Sequence, residues 1–268
     1  MAGNFRDVTP RVWLVGSGGW GGGEQFSRRD DCNVYLIDGG GEFALVDAGL
    51  GPENPQILEN IRAAGLATDR IRKVFLTHAH NDHAQAAPWL RRETGARIYA
   101  GPVTARVLRE GERNLTGPMQ PFEKFVPWPF EVDEVLEDGG ETPVGDLVLK
   151  TLHTHGHSID SISFVCDVDG RKVLFGGDTL IGRQSRADFG GHTFACVLGW
   201  LDGHWSAPLT TYVESLKTLQ ALNSDLLLPG HGVPNDAMTL EKAVKAGIKS
   251  IERVLDDPDL FVMFSVSR

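Results

Sequence analysis

The chain has 268 residues, 41% hydrophobic and 23% charged, which are ordinary values for a globular protein with one core. Its 26 Lys and Arg against 36 Asp and Glu give a formal net charge of -10, the wrong sign for a nucleic-acid binder. No apolar run approaches the roughly 20 residues that a membrane-spanning helix needs.

From the N-terminus, MAGNFRDVTPRVW has no apolar stretch of the signal-peptide kind, so the reading is a cytoplasmic protein with no membrane partner. VWLVGSG opens as a strand and runs into a glycine-rich stretch holding Trp20, read as a flexible loop. CNVYLIDGG and EFALVDAGL are two strands joined by a glycine turn. The spacing of Ile57, Leu58 and Ile61 predicts a helix. IRKVFLTH is a buried strand, DHAQAAPWLRRETG a helix, ARIYAG a strand and GPVTARVLREG a helix. Pro118, Pro121, Pro127 and Pro129 rule out a regular element in the next stretch, where Phe125, Trp128 and Phe130 sit. It is read as a long loop or lid. Strands follow at EVLEDG, DLVLKTLHT, SISFVCDVDG, KVLFGGDTL and DLLLPGHG, with helices at PLTTYVESLKTLQAL and TLEKAVKAGIKSIERVLDD. Two blocks of strands interleaved with helices suit two sheets with helices outside, in a single domain over 1–268. Cys32, Cys166 and Cys196 form no C-x-x-C pair and read as small buried hydrophobes.

The stretch THAHNDH carries the chemistry. His78, His80, Asp82 and His83 fall on the loop after an apolar strand, where polar side chains without a partner are costly. Imidazole and carboxylate are donors for zinc, iron or manganese. Four donors this close strain a single tetrahedral ion, and two ions sharing them is easier. Further donors stand where other strands give way to turns: His153, His155 and His157 in HTHGHS, Asp178 in GGDTL, and His231 in PGHG. Asp178 can bridge two ions through its two oxygens.

THAHNDH, GHS, GGDT and PGHG, in that order, resemble the ligand motifs of the metallo-β-lactamase superfamily. The resemblance implies an α/β fold of the αββα sandwich type, two mixed sheets flanked by helices, with two zinc ions at one edge. It implies that His78, His80 and His157 hold one ion, that Asp82, His83 and His231 hold the other, and that Asp178 bridges. His155 stands where the usual motif has proline, and His157 is taken as the ligand from its register after the glycine. Asp82 and Asp178 are the expected catalytic residues, acting on a hydroxide that forms between the two ions near neutral pH. The expected reaction is hydrolysis of a small ester, lactone or related carbonyl compound. A small-molecule substrate is the one expected partner, with a homodimer left open.

Within that superfamily several activities stay open: thioester hydrolysis of the glyoxalase II type, β-lactam hydrolysis, and an iron persulfide dioxygenase using His78, His157 and Asp178. Lactonases of the family typically carry a tyrosine soon after the bridging aspartate. Here Ile181 lies three residues on, and the next tyrosine is Tyr212. Arg183 and Arg186 are candidate contacts for a substrate carboxylate, whereas His192 and His204 read first as surface or supporting residues.

Overall fold

The structure, a computed structural model, describes residues 5–18, 24–111, 129–182, 196–198 and 207–256. Trp20, Phe125, Trp128, Arg183, Arg186, His192 and His204 lie outside the described residues, as does most of the expected lid.

The first sheet takes its strands in chain order: β1 (Arg6–Thr9), β2 (Val12–Gly16), β3 (Val34–Asp38), β4 (Phe43–Val46), β5 (Ile71–Leu76), β6 (Arg97–Ala100) and β7 (Glu134–Val135). β1 to β4 pair antiparallel, and β4 to β7 pair parallel. The parallel pairs need crossovers. These contain α1 (Pro55–Ala63), the short α2 (Asn81–Ala84) with α3 (Ala87–Thr94), and α4 (Pro102–Glu110). In the second sheet β8 (Glu141–Val144), β9 (Leu147–His153), β10 (Ile162–Val168) and β11 (Arg171–Gly177) form an antiparallel run. β12 (Leu180–Gly182) and β13 (Cys196–Leu198) make a separate ribbon. After α5 (Leu209–Ala221), β14 (Leu226–Pro229) returns to pair parallel with β11, and β15 (Asn235–Asp236) closes that edge before α6 (Ala237–Asp256).

Strand periodicity builds the layers. In β3, Leu36 faces α1 while Tyr35 and Ile37 face the second sheet; in β5, Val74 and Leu76 face the helices while Phe75 faces inward. In β11 and β14, Leu174 and Leu227 face α5 and α6, whereas Phe175 and Leu228 turn to the first sheet. Buried on both sides, such strands read as unbroken apolar runs. The result is the expected αββα sandwich. Among the described residues no helix is long and apolar enough to cross a membrane.

Two expectations change. The helix predicted over DHAQAAPWLRRETG breaks into α2 and α3. Pro88 lacks an N–H, and its ring would strike the carbonyl of Ala84, so one helix cannot run through. The predicted strand EVLEDG shrinks to two residues, while ETPV forms the edge strand β8, where Pro143 is tolerated. Phe130 packs on the helix-side core of the first sheet, and Cys32 and Cys166 are buried and free.

Phe75 is the inward ring nearest the THAHNDH loop. It meets Phe164 of the second sheet edge-on at 5.3 Å and Tyr99 at 4.9 Å. Phe75→Ala is expected to cost about 3–5 kcal/mol, read as a lower urea midpoint at constant slope. A loss under about 1 kcal/mol would mean that the two sheets do not depend on this contact.

Candidate metal centre

The seven residues singled out in the sequence converge at one edge of the sandwich. β5 ends at Leu76 and delivers His78 and His80, and the single turn of α2 adds Asp82 and His83. The loop after β9 brings His157, the end of β11 brings Asp178, and the end of β14 brings His231. Donor atoms fall into three overlapping groups, each within 4.8 Å: His78, His80 and His157; Asp82, His83 and His231; and His78, His83 and Asp178. Asp178 faces both sides. Its Oδ1 lies 3.4 Å from His83 Nε2, and its Oδ2 lies 3.5 Å from His157 Nε2 and 3.4 Å from His231 Nε2. His231 Nε2 is 3.0 Å from Asp82 Oδ2. An added Cβ at Gly230 would fall on the Asp178 carboxylate and crowd the His83 ring, so glycine is what lets the last turn close on the cluster.

Residues that sequence reasoning passed over aim these side chains. Asp47 follows β4 with a φ of 63°, a backbone region uncommon outside glycine. Its Oδ1 accepts the Thr77 N–H at 2.8 Å, and its Oδ2 lies 2.8 Å from His83 Nδ1. The Thr77 hydroxyl sits 2.9 Å from His78 Nδ1. Both rings therefore present Nε2 to the cluster, the usual arrangement behind a metal-ligating histidine. Cys32 also lies near Asp47 and His83, where His83 Nδ1 and Asp47 Oδ2 already meet at hydrogen-bond distance. Asp160 reaches across from the second sheet, and its Oδ2 accepts the N–H of Ala79, between His78 and His80, at 2.8 Å. Asn33 does the same for His231. Its Nδ2 donates to the carbonyls of Pro229 and Gly232 at 2.9 Å each, and its N–H donates to Gly230. The available signal was context: Asp47 stands in LVDAG at a strand end before a small residue, as Asp178 stands in GGDTL.

The electrostatics divide the site. Burial, reinforced by the neighbouring rings, pushes His78 well below its ordinary value and His80 down to about 3. These imidazoles are neutral and their lone pairs are available. Burial also opposes charge on His83 and His231, but there the anionic neighbours win. Asp178, Asp47 and Asp82 hold His83 well above the ordinary value, and Asp178 and Asp82 bring His231 up to about 9. Burial would raise Asp82 and Asp178, yet His83 and His231 draw Asp82 down to about 2 and Asp178 well below its usual range.

A cation set fits these residues. The Nε2 atoms of His78, His80 and His83 and the Oδ1 of Asp178 are buried without a hydrogen-bond partner. His157 Nε2 and His80 Nδ1 approach to 2.9 Å, a repulsive meeting of lone pairs unless a proton or a cation lies between them. The Asp82 side chain is 28% exposed, while no other member of the cluster exceeds 6%. Asp82 therefore faces the opening. His153 and His155 do not join the cluster and lie against each other instead. Tyr212 is fully buried, with its hydroxyl donating to the Thr179 carbonyl, so it is not presented to a substrate.

Asn33→Ala removes a donor from two buried carbonyls flanking His231. The expected cost is about 1–3 kcal/mol of stability, read as a shift in the denaturation midpoint. An unchanged midpoint would show that other contacts hold the His231 turn.

The chain is 29% identical over 210 residues to a probable metallo-hydrolase, YqgX, of Bacillus subtilis, covering 78% of this chain and 88% of that protein. It is 31% identical over 157 residues to a hydroxyacylglutathione hydrolase of Bradyrhizobium, covering 58% of this chain and 50% of that protein. Its fold superposes with a TM-score of 0.70 on BJP-1, a subclass B3 metallo-β-lactamase of Bradyrhizobium japonicum, at 21% identity and over 96% of each chain. The metallo-β-lactamase superfamily profile matches residues 27–231, the span that holds all seven converging residues. The chain belongs to the metallo-β-lactamase superfamily, as one of its metal-dependent hydrolases.

Proposed function

We propose that the chain is a dinuclear zinc hydrolase that cleaves a small ester, lactone or thioester. The carrying observation is Asp178, whose two oxygens face the His78–His80–His157 group and the Asp82–His83–His231 group from between them. His78, His80 and His157 would hold one cation, and Asp82, His83 and His231 the other. When bound, such cations polarise a carbonyl and make water nucleophilic near neutral pH. The protein's own part is orientation and proton handling. Asp47 and Thr77 fix the rings of His83 and His78, and Asp178 sets the spacing of the two halves. Asp82, the most exposed member of the cluster, accepts a hydrogen bond from water at its carboxylate and turns that water toward the substrate. The hydroxyacylglutathione hydrolase among the relatives supports including thioesters.

The first test is metal per chain by elemental mass spectrometry, followed by turnover on panels of lactones, thioesters and β-lactams. About two zinc per chain supports the proposal, whereas about one iron replaces it with a mononuclear oxygenase reading. Asp82→Ala is expected to lower turnover by roughly a hundred- to ten-thousand-fold on whichever substrate is cleaved. Full activity in that variant would remove Asp82 from the mechanism.

The protonation pattern gives a pH signature. His231, raised to about 9 from an ordinary 6.5, lends the metal-free fold stability that is complete below pH 6.5 and is lost as pH rises through about 9. A cation entering that half near neutral pH must displace protons from His231 and His83, while His80, lowered to about 3, has none to lose. Calorimetric titration in buffers of different ionisation enthalpy should show proton release with one ion and little with the other. Two proton-neutral binding events would contradict this division of the site.

A further inference from the structure

Outside the seven-residue cluster, a second pair of histidines meets where β9 ends. His153 and His155 alternate along HTH, so on extended chain both side chains leave on the same side. Their rings lie 5.3 Å apart between centroids, with the planes at 56°. His153 Nε2 and His155 Nδ1 are both shut off from solvent, and neither has a hydrogen-bond partner. Two such nitrogens on neighbouring rings, both buried and both unpaired, ask for a physical explanation. The surroundings are fixed. The His153 N–H donates to Asp138 Oδ1 at 2.8 Å, which anchors a carboxylate at this strand end, and Ser215 of α5 donates to the His155 carbonyl at 2.7 Å. Neither histidine belongs to the donor groups around Asp178.

We propose that His153 and His155 form a separate, peripheral site for a divalent late transition-metal ion such as zinc. The two imidazoles are the donors and Asp138 supplies negative charge beside them. With two protein donors and water completing the shell, the ion is held more weakly than in the cluster around Asp178. It exchanges with free metal, whereas the cluster retains its own.

Native mass spectrometry of zinc-saturated protein counts the ions per chain, and the difference between proteins does not depend on how many ions the main cluster holds. Wild type should carry one zinc more than the His153→Gln/His155→Gln double variant, and brief exposure to a weak chelator should strip that ion first. Equal counts in the two proteins overturn the proposal, as does an extra ion that survives in the double variant. A second readout does not depend on the double variant. In wild type labelled with 15N-histidine, the last zinc equivalent should shift the imidazole nitrogens of His153 and His155, assigned through the single variants. Resonances that stay in place reject the site even if the double variant fails to fold.

Discussion

The buried carboxylate of Asp47 governs the functional edge of this molecule. One oxygen takes the Thr77 N–H and the other faces His83 Nδ1, while the Thr77 hydroxyl carries the constraint on to His78. A single charge thus sets the tautomer and direction of two rings. It acts in a low-dielectric environment where such bonds are strong and leaving one unmade is costly. The placement follows from topology. β4 and β5 lie side by side and parallel, with Val46 opposite Phe75, so Asp47 sits beside the end of β5, one residue short of Thr77. The positive φ of Asp47 belongs to that arrangement, as local strain sustained by the contacts around it.

Around this anchor the cluster holds two kinds of chemistry a few ångströms apart. His78 and His80 are neutral rings gathered with His157, whose Nε2 lies 2.9 Å from His80 Nδ1. Asp82, Asp178, His83 and His231 form a set of carboxylates and protonated rings that neutralise one another. Asp178 touches both, so on the proposed reading a cation on the first side meets neutral donors while one on the second displaces protons. The open side of Asp82 gives the assembly a single face toward the solvent.

The sequence displayed the donors because histidine and aspartate at strand ends are rare and expensive unless used, and their four motifs fell in order along the chain. The layers were legible for the same reason in reverse, since strands covered on both faces show as unbroken apolar runs. What stayed hidden was relational. Asn33 is an ordinary polar residue before a strand until the His231 turn is folded against it, about two hundred positions later in the chain. Asp160 acquires its meaning only when β10 brings it to Ala79. Pro88 announced a break, yet the apolar periodicity around it read as one helix. In each case the missing information was a long-range contact, which no local pattern encodes.

The cluster draws four donors from the end of the first sheet and its following turn, and three from the second sheet. Neither half presents a complete coordination shell. A cation seated there acts as a clip across the seam of the sandwich, binding the docked state and not the separated one, so its concentration feeds directly into the stability of the fold. The Phe75–Phe164 contact packs the interior of the same seam without any help from the edge. The metal centre therefore doubles as a sensor of its own scaffold: it is whole only when the two sheets have found each other.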